Sequence, residues 1–74
     1  MSKYGAVYAS DDGLTERELQ VLIKVSQGAT DKEIADALTI SLNTVKTHIR
    51  NILSKLHVST RREAARVAKT KGLM

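Results

Sequence analysis

The chain has no cysteine, no proline, no tryptophan and no phenylalanine, and only two tyrosines. Without cysteine there is no disulfide and no thiolate ligand. Apolar packing must therefore hold 74 residues together, a length near the lower end of what folds alone. No run approaches the roughly 20 apolar residues of a membrane-spanning helix. No basic-then-apolar signal segment opens the chain. The expected setting is a reducing cytoplasm, with no membrane among the partners. The two histidines, with most acidic side chains at helix starts, do not assemble a catalytic or metal constellation. A non-enzyme is expected, without cofactor or small-molecule ligand. The lack of proline and the abundance of Leu, Ile, Val and Ala suit an all-helical domain.

Acidic charge is also scarce, but only in the second half. Residues 39–74 carry eight basic side chains against Glu63 alone, a net of +7, whereas residues 1–38 carry a net of −3. A basic half of this kind attracts a polyanion such as nucleic acid.

Residues 1–13, MSKYGAVYASDDG, show no sustained period and end in a Ser-Asp-Asp-Gly turn. They read as a flexible leader or linker remnant preceding a domain over 14–74. Three Thr-x-x-Glu boxes follow, Thr15/Glu18, Thr30/Glu33 and Thr60/Glu63, each a capping signature for a helix start. In the first helix Val21, Leu22 and Val25 line one face, Leu14 can staple the start, and Gly28 is a left-handed stop. Leu19 and Ile23 widen the apolar surface to a second face, expected to lie under Tyr4, Val7 or Tyr8 of the leader or under a partner domain.

The second helix buries Ile34, Ala35 and Leu38, and Ile40 in the tight turn Thr39-Ile40-Ser41 plugs the angle to the third. Small Ala35 lets the third helix approach. The third helix, about 42–57, starts after Ser41 without a glutamate box, and Val45, Ile49, Ile52 and Leu56 form its core stripe. The fourth turns the small residues Ala64, Val67 and Ala68 inward and ends near Gly72.

Two helices joined by a tight turn, the second with a polar and basic face, have the layout of a helix-turn-helix that places its second helix in the major groove. Base-reading side chains belong to the first two turns of such a helix. Lys46, Thr47 and Arg50 meet that requirement, projecting away from Val45 and Ile49. Arginine and lysine can bond guanine O6 and N7, and the threonine methyl can touch a thymine methyl. Lys32, Ser41, Asn43 and Thr44 are candidate clamps on the DNA backbone. His48 is expected to be a packed or hydrogen-bonded structural residue, and His57 to favour the helix dipole or the turn.

Three motifs sharpen this outline: L-T-E-R-E at 14–18, G-A-T-D-K-E-I-A at 28–35, and L-T-I-S-L-N-T-V-K-T-H-I-R-N-I-L-S-K-L-H-V at 38–58. From Leu14 to about Ala68 the chain resembles the LuxR/GerE-type DNA-binding domain, also the effector domain of NarL/FixJ-type response regulators. The resemblance implies an all-α, four-helix bundle with a helix-turn-helix, and transcription regulation by a homodimer bound to double-stranded DNA at two half-sites. RNA polymerase is a further expected contact. By position, Lys46, Thr47 and Arg50 would meet bases, and Lys32, Thr44, Asn51 and Lys55 would lie near phosphates. The fourth helix, with Ala64, Val67 and Ala68, is the dimer contact that the resemblance implies. Its Arg62, Arg66 and Lys69 oppose pairing in free solution.

The promoter-recognising region of sigma factors shares E-I-A and T-V-K, but it continues with a serine and an arginine where Thr47-His48 stands here. A different class of function, a helical protein-interaction module, would use Leu19, Ile23 and the basic fourth helix to dock an acidic partner.

Overall fold

Helix starts are set where the Thr-x-x-Glu boxes lie. Thr15 Oγ1 accepts from the Glu18 amide at 3.1 Å while Glu18 Oε1 accepts from the Thr15 amide at 3.0 Å. The same reciprocal pair forms at Thr30/Glu33, at 3.1 and 2.8 Å, and at Thr60/Glu63, at 3.1 and 3.2 Å. Each box satisfies backbone donors that the first turn would otherwise leave open. The computed structural model of the chain describes residues 13–72. Among them lie four helices and no strand: α1 Glu16–Ser26, α2 Asp31–Leu38, α3 Leu42–Leu56 and α4 Arg61–Thr70. Helix α3 alone lacks a box; Ser41 Oγ accepts from the Thr44 amide at 3.0 Å and shares a 2.8 Å hydrogen bond with the Thr44 hydroxyl.

Three turns join these helices through left-handed residues. Gly28, at φ +86°, closes the exit from α1, where any side chain would be strained. The other two are not glycine: Thr39, at φ 58°, ends α2, and His57, at φ 59°, ends α3. A β-branched threonine in this region is uncommon and costs about 1–2 kcal/mol. The turn is held regardless, because the Ile40 amide donates to the Ala35 carbonyl at 3.0 Å, and half-buried Ile40 packs against the core. His57 fulfils the expectation of a turn residue.

The core joins all four helices. Helix α1 packs against both α3 and α4, and α2 against α3. Leu14, Val21, Leu22, Ile34, Val45 and Ile52 are the largest side chains fully removed from water. On α3 the expected stripe separates into two grades: Val45 and Ile52 are buried, while Ile49 and Leu56 pack half-buried at its edges. Small Ala35 is buried in the core cluster on α2, so a longer side chain there would overpack it.

Two expectations change. Leu19 is 5% exposed and belongs to the main core, with Ile23 half-buried against it. Leu19 is the fourth residue of its helix and Leu14 the residue before its cap, the two positions of a hydrophobic staple; both are buried. Tyr4, Val7 and Tyr8, expected over this pair, lie outside the described residues. The second change concerns α4. Ala64 and Ala68 are 2% and 0% exposed, on a helix packed against α1 and α3 of its own chain. They cannot also be the surface that meets a partner copy. Val67 is half-buried beside them. Small residues on the inner side of α4 therefore serve close packing within the chain, and its outer side is left to Arg62, Arg66 and Lys69, all exposed.

Candidate nucleic-acid interface

Helix α3 divides sharply around its circumference. At about 100° per residue, Asn43, Lys46, Thr47, Arg50 and Asn51 fall within one arc of roughly 140°, opposite buried Val45 and Ile52. All five are exposed. The helix contains no Asp or Glu, and neither Lys46 nor Arg50 has an ion pair among the described residues. The result is a rigid row of hydrogen-bonding groups carrying two uncompensated cations. Val45 and Ile52 anchor it from behind, and the turn at Thr39–Ser41 fixes its direction.

The expected backbone clamps differ in their freedom. Ser41 and Asn43 are exposed and Thr44 half-buried at the start of α3. Ser41 and Thr44 already bond one another, which holds their hydroxyls in place. Lys32 lies on α2 with its side chain 82% exposed and 3.6 Å from Asp36; such an i,i+4 surface pair contributes only about 0.3–0.5 kcal/mol. Its ammonium is easily turned toward another anion.

Lys55 differs from Lys46 and Arg50 in having a partner within the chain. Expected near a phosphate, its Nζ instead lies 2.7 Å from Glu18 Oε1, and the Glu18 side chain is 5% exposed. The same oxygen accepts from the Thr15 amide. Burial raises the Glu18 pKa. The hydrogen bond from Lys55, the bond from the Thr15 amide and the charges of Lys55 and His48 outweigh that, and hold it below the ordinary glutamate value. The box that starts α1 is thus locked to the last turns of α3. Removing Lys55 would strand a carboxylate with little water around it.

A second cross-link was not legible as a site. Arg61 places Nη1 2.6 Å from Asp31 Oδ1 and donates through Nη2 to the Ala29 carbonyl at 3.2 Å. It ties the start of α4 to the start of α2. The only available signal was two opposite charges, each at a helix start and 30 residues apart in sequence, which no local period connects. His48 is half-buried, and its Nδ1 is enclosed without a hydrogen-bond partner among the described residues. It is packed, as expected, rather than hydrogen-bonded at that atom. No helix among the described residues is long and apolar enough to cross a membrane.

This geometry, an exposed basic arc on a helix braced by three others, coincides with clear sequence relationships. Residues 12–68 match the model of the bacterial regulatory proteins of the luxR family. Over 54 residues, 73% of the chain, it is 56% identical to the transcriptional regulatory protein LiaR of Bacillus subtilis. Over 51 residues, 69% of the chain, it is 51% identical to the response regulator protein VraR of Staphylococcus aureus and of Staphylococcus epidermidis. These stretches span 26% of the LiaR chain and 24% of each VraR chain. The match distinguishes the chain from the sigma-factor pattern that shares E-I-A and T-V-K. With four helices among its described residues, the chain belongs to the luxR family of bacterial regulatory proteins.

Proposed function

We propose that the chain is a sequence-specific, double-stranded DNA-binding domain of a transcription regulator, with α3 in the major groove. The observation that carries this is the exposed arc of α3, where Lys46, Thr47 and Arg50 have no side-chain partner among the described residues, on a helix anchored by Val45 and Ile52. In this reading those three meet base edges. Lys32, Ser41, Asn43, Thr44 and Asn51 contact the sugar-phosphate backbone, which sets register without carrying sequence information. Lys55 is left out of the backbone set because Glu18 holds it. The names of LiaR and VraR, a transcriptional regulatory protein and a response regulator, support the regulatory role.

The test is selection from a random duplex pool, followed by binding of the selected and of unrelated sequences. Arg50→Ala is expected to weaken the selected site by about 1–3 kcal/mol and relax preference at one base position. Lys32→Ala is expected to weaken both kinds of DNA alike. Equal losses for both variants on both kinds of DNA would remove the base-reading role.

Pairing on two half-sites about one helical turn apart is part of the same proposal. With Ala64 and Ala68 buried, two copies meeting through α4 would bring Arg62, Arg66 and Lys69 face to face, since a two-fold contact sets a patch against itself. A monomer or weak dimer in free solution, paired on DNA where phosphates offset the repulsion, is therefore expected. Sedimentation showing a tight, salt-insensitive dimer without DNA would count against it. The interaction-module alternative loses its anchor, because Leu19 is in the core rather than on the surface.

A further inference from the structure

A shallow open groove is lined by the turn between α1 and α2 and by the early turns of α3 and α4, with Leu42 and Ala65 among its apolar residues and Lys32, Lys46 and Arg62 among its cations. Leu42 is the one large apolar side chain left exposed among the described residues, at 44%. Asp31 is the only acidic residue lining the groove, and Arg61 already engages it at 2.6 Å. Lys46 and Arg62 have no ion pair among the described residues. The single acidic residue of α4, Glu63, accepts from the Ser59 and Thr60 amides, which ties it to the cap. The groove thus keeps Lys46 and Arg62 as cations that no ion pair among the described residues neutralises, while Lys32 has only its exposed 3.6 Å pair with Asp36.

We infer that this groove seats a strand of the DNA backbone flanking the bases met by α3, with Arg62 as a phosphate contact contributed by α4. The inference rests on the proposed major-groove reading, because Lys46 belongs both to the base-facing arc and to the groove, so the two surfaces are continuous. A sugar-phosphate strand suits the lining: phosphates meet the cationic side chains while the sugars cover Leu42 and Ala65. Arg66 stands on the same helix, equally exposed, but does not line the groove. Arg62 therefore makes a contact that Arg66 does not, although both contribute the same charge to the long-range field.

The experiment measures duplex affinity of the 74-residue chain against salt concentration for wild type, Arg62→Ala, Arg62→Lys and Arg66→Ala. Melting of each variant checks the fold. Loss of one phosphate contact lowers the slope of log affinity against log salt by about 1. Arg62→Ala is expected to show that drop on selected and random duplexes alike, Arg62→Lys to restore most of it, and Arg66→Ala to change the slope by much less. Equal changes for Arg62→Ala and Arg66→Ala would reduce the effect to net charge and overturn the assignment. So would an unchanged slope with Arg62→Ala together with tighter cooperative binding to paired half-sites, which would place Arg62 between two copies. Binding of poly-glutamate that depends on Arg62, with no change in the DNA slope, would give the groove to an acidic protein segment instead. If Arg50→Ala alters base preference while Arg62→Ala leaves the slope intact, only this inference falls. If wild type shows no salt-dependent duplex binding, the major-groove reading falls with it.

Discussion

The two ends of α3 carry cations with opposite fates. Within its first three turns Lys46 and Arg50 stand exposed with no carboxylate among the described residues to meet them, while near its end Lys55 lies 2.7 Å from buried Glu18. From sequence alone all three are basic residues on a polar helix, a few positions apart. The difference lies in what the rest of the fold brings opposite them. Helix α1 presents the Thr15/Glu18 box to the end of α3, whereas no carboxylate among the described residues pairs with Lys46 or Arg50, so one end is a structural lock and the other an open surface. A basic residue on a reading helix is thus a candidate contact only where no acidic neighbour from another helix has claimed it. The Arg61–Asp31 pair teaches the same lesson on α4, whose Arg62 one residue further along remains open.

The largest effect is expected at Lys55. Lys55→Met should lower folding stability by about 3 kcal/mol, near the low end for removing one member of a buried pair, because the lysine side chain is 35% exposed and water can partly compensate. Arg50→Ala, at the open end, should change stability by less than about 0.5 kcal/mol, as expected for a surface substitution away from packing and caps. Urea unfolding of the two variants measures both effects. Comparable losses would mean that the two ends of α3 are not different in kind.

Acid titration sharpens the same contrast. The folded Glu18 keeps its charge to lower pH than the unfolded chain does, so the unfolded state takes up its proton first as pH falls. The stabilisation from the lock is complete above the ordinary glutamate value of 4.5 and is lost as pH drops below it toward the lowered folded value. Without Lys55, burial acts on Glu18 with less to oppose it. The stability gap between wild type and Lys55→Met should therefore narrow from pH 6 toward pH 3 (about the range over which carboxylates titrate), as read from melting temperatures. A gap that stays constant would show that Lys55 acts through packing of its stem.

The smallest effect concerns the turn that aims the open end. Thr39 adopts a left-handed conformation at φ 58° and is exposed, so Thr39→Gly relieves strain without removing a buried side chain. A gain of about 0.5–1 kcal/mol is expected after the entropic cost of glycine is set against the strain. If Thr39→Gly instead destabilises, the threonine side chain supports the turn and the angle between α2 and α3 depends on it.

Much of this molecule is written locally. A Thr-x-x-Glu box needs only four consecutive residues, so the starts of α1, α2 and α4 follow from the chain without knowledge of its neighbours, as does the amphipathic stripe that buries Val45 and Ile52. The polar arc of Lys46, Thr47 and Arg50 follows from the same period. Other features depend on partners distant in sequence. Leu19 looked like a second, outward face because its helix alone cannot show how widely the core wraps around it. Ala64 and Ala68 read as the inner side of α4 from their size and as a dimer contact only through the family resemblance, and they are buried on a helix packed against α1 and α3.

Sequence alone therefore determined where the helices begin, which side of α3 is dry and which carries the basic and polar groups, since hydrogen-bond capping and helical period act over a few residues. Tertiary structure decided which cations are free. Pairing Lys55 with Glu18 and Arg61 with Asp31 joins residues 37 and 30 positions apart, and no local pattern encodes such meetings. A charge acts over a few ångströms, and only the folded chain sets those distances.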